Sequence, residues 1–589
     1  MSEQTLPIWD LSDLYASAED STVQNDLRDM TDMRHQLIAL KDDLIASPLR
    51  VDAWELALDY YDRHAMLAHK LADFARLKAD EDVTNQKAAA FLQKVQNDLS
   101  QAEAEITFFP LLVSELKDED AEQLAKDDET GKFTEFIRQS RRLKPRLLPE
   151  DQERLLILTM QREREAWARF ENQLAPRLPF GEVQIDGQMT KLTPSLITTL
   201  LEHHDSKLRS TVYNRRCEAY QKEQSNFAFA YSEQVRNVVT EKDLRKYKNI
   251  TSFIADRDDL PENFVPQLLG AARDNQNIFT KFFAWKAKQI GLEKLPAADL
   301  VAPLAQDAET SIEWSEAKEL THNAFNHLDA EFASHADKFF ENSWIHAQPS
   351  AHKSTGAYCM YAPQHPFILL SYQNKLNDVN TLAHEVGHGV HALLFAEQKI
   401  LQRHPGLILA ETASQFGELM LLEELKSKSP QTYSFALRHF LEHGMNAIYQ
   451  QLLITQFESN AFDQAQAQGL TADWLSGEWL KLKQELGQNS VDYPDMEKWT
   501  WARISHIFFH PFYCYSYAAS LLLVLALAKK FSDDPQDFTG KFKSLLSAGG
   551  SMKADDLLRK TMGFGLDDGA YLNLGFEQLK MMVDEIIKN

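Results

Sequence analysis

Residues that break helices are scarce along this chain, and this scarcity limits the folds open to it. The sequence has 21 glycines and 20 prolines in 589 residues, together about 7%, where roughly 12% is usual. From Thr22 to about Ala175, apolar residues recur at helical spacing, as at Leu71, Phe74 and Leu77. With 44% hydrophobic residues, the chain can bury a large core. The sequence therefore predicts a mostly α-helical globular protein.

The charge balance and the few cysteines exclude several classes of function. A net charge of −25 opposes nucleic-acid binding, which needs a basic face. Cys217, Cys359 and Cys514 are too few and too scattered for a disulfide framework or a cysteine zinc site. The N-terminus lacks a secretory signal pattern, and the most apolar stretch, 518–528, is too short to span a bilayer. We therefore expect a soluble cytoplasmic protein that binds neither nucleic acid nor membrane, with its oligomeric state left open.

The pattern changes near Pro179, where a β-hairpin is predicted. Residues 182–185 alternate polar and apolar side chains, and Asp186-Gly187 is a residue pair typical of hairpin turns. We therefore place a small hairpin near 183–189.

This hairpin marks the predicted domain boundary. An N-terminal helical lobe is expected over 1–178 and a second domain over 179–589, where helical periodicity resumes. Within the second domain, the apolar run from Phe367 to Tyr372 follows a proline and is short, which predicts a strand. The chain shows no repeat of fixed period, so a helical solenoid has no support.

One motif carries chemistry, the H-E-x-x-H pattern formed by His384, Glu385 and His388. Asp378 is a good N-cap candidate, so the motif is predicted to lie early in a helix. There the two histidines lie one above the other on one face, close enough to bind one zinc ion, while Glu385 is offset toward a metal-bound water. The alternative is two surface histidines on an ordinary helix, although chance gives this pattern only about 0.05 times in such a chain.

Catalytic zinc has three protein ligands and an open position, so a third ligand must come from elsewhere. His391 lies one turn farther along the same helix face, where packing or orientation of a ligand suits it better. The metzincin motif requires glycine at position 391 and histidine at position 394, and this chain has His391 and Leu394. Glu411 is the better candidate, because its helix can pack against the first and a carboxylate completes a His2Glu site. Glu418, two turns on, could orient a ligand histidine.

The motif followed by Ala410-Glu411-Thr-Ala-Ser-Gln resembles the thimet oligopeptidase and oligoendopeptidase F family of zinc metallopeptidases, and the oligoendopeptidase F branch most closely. Further stretches resemble the same branch in the same order: Trp9 to Tyr15, Arg142 to Pro149, Gly356-Ala-Tyr358, Pro366 to Tyr372 and Gly549-Gly-Ser551. The resemblance covers nearly the whole chain. It implies a gluzincin-type zincin core with a small β-sheet, two helical lobes around a deep cleft, one zinc ion per chain, and short unfolded peptides as substrates.

The resemblance also directs attention to a later segment rich in tyrosine. Relatives place a histidine and tyrosines of this region over the zinc, which implies His506 and Tyr517, with Tyr513 as the second choice. Such donors can stabilise the charge that hydrolysis builds on the carbonyl oxygen. If the segment after Pro511 is helical, Tyr513 and Tyr517 share a face and Tyr515 points elsewhere. Aromatic packing is the alternative role for these tyrosines.

The sequence therefore predicts a zinc endopeptidase in which Glu385 takes the proton of the attacking water and passes it to the leaving amine. The predicted strand could bind an extended peptide through main-chain hydrogen bonds. Two alternatives stay open. One is a zinc exopeptidase of the aminopeptidase or dipeptidyl carboxypeptidase type, and the other is a helical binding protein without catalysis.

Overall fold

A computed structural model describes residues 6–127, 129–185, 187–304 and 311–588, except the side chains of 157–158 and 160–165. Its fold is mostly α-helical, as predicted. The α-helices of the described residues are α1 (Ser21–Ala39), α2 (Lys41–Ile45), α3 (Val51–Glu81), α4 (Gln86–Ile106), α5 (Phe108–Glu115), α6 (Asp118–Lys126), α7 (Thr134–Arg142), α8 (Glu150–Leu174), α9 (Pro194–Leu201), α10 (Ser206–Leu244), α11 (Ile250–Arg257), α12 (Phe264–Asp274), α13 (Gln276–Gln289), α14 (Trp314–Asn326), α15 (Ala330–Glu341), α16 (Leu376–Leu394), α17 (Leu407–Ala410), α18 (Thr412–Lys428), α19 (Pro430–Met445), α20 (Gln451–Ala467), α21 (Ala472–Gly487), α22 (His506–Phe509), α23 (Tyr515–Asp533), α24 (Pro535–Ser547), α25 (Ala554–Met562) and α26 (Ala570–Lys588).

The strands of the described residues are short and form three small sheets. They are β1 (Glu182–Ile185), β2 (Gln188–Lys191), β3 (Leu295–Pro296), β4 (Ile345–His346), β5 (Tyr358–Met360), β6 (Phe367–Leu369) and β7 (Val491–Asp492). Strands β1 and β2 form an antiparallel hairpin, β3 pairs with β7 in parallel, and β6 lies between parallel β4 and antiparallel β5. The predicted hairpin is confirmed, although Asp186 of its turn lies outside the described residues. The strand predicted at 367–372 is confirmed over its first half.

Contacts divide the chain into two compact units, each built from separated segments. The first unit comprises Met1–Arg154, Glu309–Tyr433 and Lys530–Leu566, and the second comprises Leu155–Ala308, Ser434–Lys529 and Asp567–Asn589. The predicted division into 1–178 and 179–589 stays a prediction, because these units are defined by contact and not by order along the chain.

In the first unit, the three-stranded sheet shares an apolar core with the N-terminal helices. Trp9 lies edge-on to Phe367 of β6, and Tyr15 lies edge-on to Phe74 of α3. All four belong to one cluster of buried residues. Burial of such large apolar side chains stabilises the folded state and fixes the sheet beside α16, the helix that carries the H-E-x-x-H motif.

The second unit is organised around the 39-residue helix α10. Buried ion pairs lie within it, among them Arg209 Nε with Asp299 Oδ1 at 2.7 Å and Lys483 Nζ with Glu497 Oε1 at 3.2 Å. Charged groups this deep in a protein require such partners. Among the described residues of the whole chain, no helix is both long enough and apolar enough to cross a membrane.

Candidate active site

Helix α16 carries the H-E-x-x-H motif and begins three residues earlier than an N-cap at Asp378 would place it. It begins at Leu376, with Lys375 as N-cap, so the predicted N-cap role of Asp378 is wrong. Asp378 is the third residue of the helix, and its carboxylate accepts hydrogen bonds from the main-chain nitrogens of Gln373 and Lys375 at 2.6 and 3.0 Å. A carboxylate in the first turn still stabilises the helix, because it satisfies nearby amides and faces the positive end of the helix dipole.

Two glycines let α16 and α18 approach each other closely. A Cβ atom on Gly387 would lie 2.6 Å from both Ala413 O and Ser414 Cα, and one on Gly417 would lie 2.9 Å from Ala383 O. Those neighbours are main-chain atoms, which cannot move aside as a flexible side chain can. Only hydrogen fits at these two positions, so the helices meet at main-chain contact directly beside the motif.

This close packing brings Glu411 to the two histidines. Glu411 is the N-cap of α18, between α17 and α18, and not inside a helix. Its Oε2 lies 3.4 Å from His384 Nε2 and 3.3 Å from His388 Nε2. One ligand atom from each of the three residues fits within 4.8 Å of the others. The structure therefore brings together the predicted trio, and two imidazole nitrogens with one carboxylate are the donor set of a His2Glu zinc site.

Both histidines are held through their second ring nitrogen. His384 Nδ1 lies 2.6 Å from Glu418 Oε1. The other carboxylate oxygen of Glu418, Oε2, accepts a hydrogen bond from Asn380 Nδ2 at 2.8 Å. His388 Nδ1 lies 2.8 Å from the Tyr361 hydroxyl. When Nδ1 donates to these partners, Nε2 keeps its lone pair and faces Glu411, as a metal ligand must.

Glu418 was predicted from the sequence, whereas Asn380 and Tyr361 were missed. Asn380 lies four residues before His384, on the same helix face, so helical spacing could have indicated it. Tyr361 lies between β5 and β6, and its distance of 27 residues from His388 gives no local signal.

The charges of the cluster favour a cation. Burial alone would raise the pKa of Glu411, but hydrogen bonds from His384 and His388 hold it well below its ordinary value. Burial alone would lower the pKa of His384, but its bonds with Glu411 and Glu418 raise it well above 6.5. Without a metal ion, the Glu411 carboxylate and the His384 imidazole thus stabilise each other's charged form. A divalent cation among the same donor atoms would stabilise the carboxylate instead, so the residues present fit a zinc ion.

Glu385 is chemically distinct from its neighbours. It is 5% exposed, and burial raises the pKa of its carboxyl group. Within the described residues, its Oε2 has no hydrogen-bond partner. A carboxylate with a raised pKa and an uncommitted oxygen is suited to take up and release a proton. His391 is 1% exposed, burial lowers its pKa to about 3, and it is not in the donor cluster.

His506, Tyr513 and Tyr517 lie in the second unit and contact one another. His506 Nε2 lies 3.1 Å from the Tyr517 hydroxyl, and the Tyr513 ring is parallel to the His506 ring at 5.9 Å. Helix α23 begins at Tyr515, so Tyr513 precedes it and the condition for a shared helix face is not met. The Tyr513 and Tyr517 rings nevertheless contact edge-on at 5.3 Å. Tyr515 does point elsewhere: it is buried, and its hydroxyl donates to Asp258.

Comparison with known proteins agrees with this geometry. The description "Peptidase family M3" matches residues 199–573, and "Oligopeptidase F" matches residues 113–180. Oligopeptidase PepF of Bacillus subtilis is 23% identical over 86% of this chain and 76% of its own length. Group B oligopeptidase PepB of Streptococcus agalactiae is 23% identical over 98% of this chain and 96% of its own length.

Solved structures support the fold. Oligoendopeptidase-F from Enterococcus faecium superposes with a TM-score of 0.73 at 19% identity, covering 96% of this chain and 98% of that chain. PZ peptidase A, solved with an inhibitor, superposes with a TM-score of 0.72 at 16% identity, covering 99% of each chain. The family match extends over more than half of the sequence and includes the H-E-x-x-H motif. The chain therefore belongs to peptidase family M3, as a metalloendopeptidase of the oligoendopeptidase F type.

Proposed function

We propose that this protein is a zinc-dependent oligopeptidase that hydrolyses internal bonds of short unfolded peptides, with one zinc ion held by His384, His388 and Glu411. One observation carries the proposal: the ligand atoms of these three residues converge within 4.8 Å of one another. Buried Glu385 follows His384 in α16, the helix that carries both histidines. The names of the relatives, which are oligopeptidases, agree with a peptide substrate.

Glu385 is the proposed general base. When bound, zinc acts as a Lewis acid that lowers the pKa of water and polarises a carbonyl oxygen. Glu385 Oε2 then accepts a proton from the attacking water and passes it to the nitrogen of the leaving amine. The raised pKa of this buried carboxyl group brings it nearer to neutrality, where it can both accept and donate.

His506 and Tyr517 are the proposed hydrogen-bond donors to the peptide carbonyl oxygen, with Tyr513 as the second tyrosine. Hydrolysis places negative charge on that oxygen, and a preorganised hydroxyl or ring N–H stabilises it in the transition state. Burial lowers the pKa of His506, so the ring is neutral at pH 7 and holds a single proton to donate.

Two substitutions test the metal site and the base separately. Glu385→Gln should keep zinc and lower turnover of an internally quenched peptide by at least about 100-fold, because the general base is gone. Glu411→Gln should lose zinc, measured by mass spectrometry of the metal content. Glu424→Gln is the matched control. This buried glutamate of α18 bonds to Asn323 and His327, away from the cluster, so its substitution should leave zinc bound.

The outcomes are distinct. Full zinc occupancy in Glu411→Gln would overturn the ligand assignment, and unchanged turnover in Glu385→Gln would overturn the assigned base. The peptide should be acetylated at its N-terminus and amidated at its C-terminus. Internal cleavage of that blocked peptide supports an endopeptidase, whereas release of terminal units from unblocked peptides alone would favour an exopeptidase.

A further inference from the structure

A short turn in the second unit sets the position of Tyr513. Residues 510–514 connect α22 to α23, and within them Phe512 has φ of +57°. This left-handed conformation is uncommon for a residue with a side chain and requires support from its surroundings. Because Tyr513 follows directly, the main-chain conformation of Phe512 determines where the tyrosine ring lies.

Two side chains, Glu458 and Arg257, bind both main-chain polar groups of Phe512. Its N–H donates to Glu458 Oε1 at 2.8 Å, and its carbonyl oxygen accepts from Arg257 Nη2 at 3.2 Å. Arg257 Nη1 also donates to the carbonyl oxygen of Pro511 at 2.9 Å. Asp258 in turn orients the guanidinium, accepting from Nε and Nη2 at 2.7 Å each. Three hydrogen bonds from two side chains thus fix two consecutive residues of the turn.

Glu458 is an unusual residue for a protein interior. It is fully buried, and within the described residues its Oε2 has no hydrogen-bond partner. Burial raises the pKa of its carboxyl group to about 8, although the Phe512 N–H and Arg257 oppose this rise. A buried carboxyl group that is only partly satisfied destabilises a protein relative to an apolar side chain. What the Glu458 carboxyl group contributes at this position is the hydrogen bond that it accepts from the Phe512 N–H.

The same turn is fixed from its apolar side. The Phe512 side chain is 2% exposed, and its ring lies 5.0 Å from that of Phe462 on α20. Ser516 Oγ donates to the carbonyl oxygen of Tyr513 at 2.7 Å, which joins the turn to the first residues of α23. The turn therefore connects Glu458 and Arg257 on one side to the three contacting aromatic residues His506, Tyr513 and Tyr517 on the other.

We propose that Glu458 and Arg257 are positioning residues for this aromatic cluster. They hold the main chain at 511–512 in the one conformation that keeps the Tyr513 and Tyr517 hydroxyls arranged for the substrate. The inference rests on the proposed function, in which this cluster stabilises charge on the carbonyl oxygen. It adds that the arrangement depends on two side chains that do not themselves touch substrate.

Substitution of either residue should lower turnover without affecting the metal. We expect Glu458→Ala and Arg257→Ala to reduce kcat by about 10- to 100-fold, since small displacements of a catalytic donor have effects of this size. KM should stay within about threefold and zinc content should be unchanged. Glu458→Gln should restore most of the activity, because its amide oxygen can accept the same N–H bond. Glu171→Ala, which removes a buried carboxyl group of α8 in the same unit, should leave kcat unchanged.

A double-mutant cycle separates positioning from general support of the fold. If Glu458 acts through the aromatic cluster, Glu458→Ala should lower the kcat of a variant that carries both Tyr513→Phe and Tyr517→Phe by less than about threefold. Equal losses in the two backgrounds, or loss of activity in Glu458→Gln matching that in Glu458→Ala, would overturn the inference. If the Glu458→Ala protein does not fold, the same cycle is carried out with Arg257→Ala, at a partly exposed position, and its result tests the inference.

The proposed roles of His506 and Tyr517 can be tested separately from the positioning roles of Glu458 and Arg257. If Tyr517→Phe and a substitution of His506 leave kcat unchanged, their proposed roles fail. If those variants lose activity while Glu458→Ala and Arg257→Ala do not, only the positioning inference fails.

Discussion

Gly387 is the position where helix packing and the metal site depend on one another most directly. It lies between the two histidines of the motif, on the face of α16 that meets α18. An alanine there would place Cβ 2.6 Å from Ala413 O and Ser414 Cα, where ordinary contact begins at 3.4 Å. Because both neighbours are main-chain atoms, relief requires the two helices to separate locally by about 0.8 Å.

This local separation of the helices should lower the free energy of unfolding. Overpacking of a filled interior destabilises a protein by about 1–3 kcal/mol, so Gly387→Ala should lower the melting temperature of a chain of this length by roughly 1–2 °C. Glu411 immediately precedes α18, and the same movement would carry its Oε2 away from His384 and His388, now 3.4 and 3.3 Å distant. We therefore expect zinc affinity to fall by about 10- to 100-fold, the loss typical when a metal ligand is no longer held in place.

The matched control is Gly540→Ala. Gly540 lies in α24 of the same unit, and a Cβ atom there would meet nothing within 4 Å. Alanine should stabilise that helix by about 0.5–1 kcal/mol and leave zinc binding unchanged. Thermal unfolding and zinc titration against a competing chelator measure both quantities. A Gly387→Ala protein with the melting temperature and zinc affinity of the control would refute the argument that close helix packing holds the site.

Three further predictions concern the partners of the ligands and one buried acid. Glu418→Gln keeps an acceptor for His384 but removes its charge, so zinc affinity should fall by about 10-fold or more in chelator competition; an unchanged affinity would show that the charge has no role. Tyr361→Phe removes the partner of the second ligand histidine, His388, and should weaken zinc binding by up to about 10-fold; unaltered affinity would assign Tyr361 to packing alone. Burial raises the pKa of Asp73 from 3.8 to about 7, so the folded state binds this proton more tightly than the unfolded state. The resulting stability is complete below about pH 4 and is lost as the pH rises through 7. Asp73→Asn should therefore raise the melting temperature above pH 7 and not below pH 4, and a gain of equal size at both pH values would contradict this sign.

The metal ligands could be predicted from the sequence because they depend on local geometry. His384 and His388 are one helical turn apart, and that spacing places two imidazoles on one face wherever the helix lies. The prediction of Glu411 required one further assumption, that the helix following it packs against the helix that carries the two histidines. Gly387 and Gly417, which make that packing possible, are visible in the sequence, but their role is evident only once the opposing main chain is known.

The features that the sequence did not reveal depend on contacts between residues far apart in the sequence or on an uncommon main-chain conformation. Tyr361 reaches His388 from a loop between two strands, and no spacing rule connects those positions. Nothing in the sequence signals the left-handed conformation of Phe512, a position where a glycine would have marked the turn before Tyr513. The sequence favours Asp378 as an N-cap because aspartate suits both that position and the third residue of a helix.

The metal ligands and the aromatic cluster are held in place by different interactions, and this difference has a consequence. The metal ligands depend on main-chain contact between α16 and α18, so a change in helix packing should alter metal content and activity together. The aromatic cluster depends on the hydrogen bonds that a strained turn makes with Glu458 and Arg257, so a change there should lower turnover at full metal occupancy. Metal content and kcat should consequently fall together in the helix-packing variants, whereas kcat alone should fall in the turn variants, which would locate the source of each loss in activity.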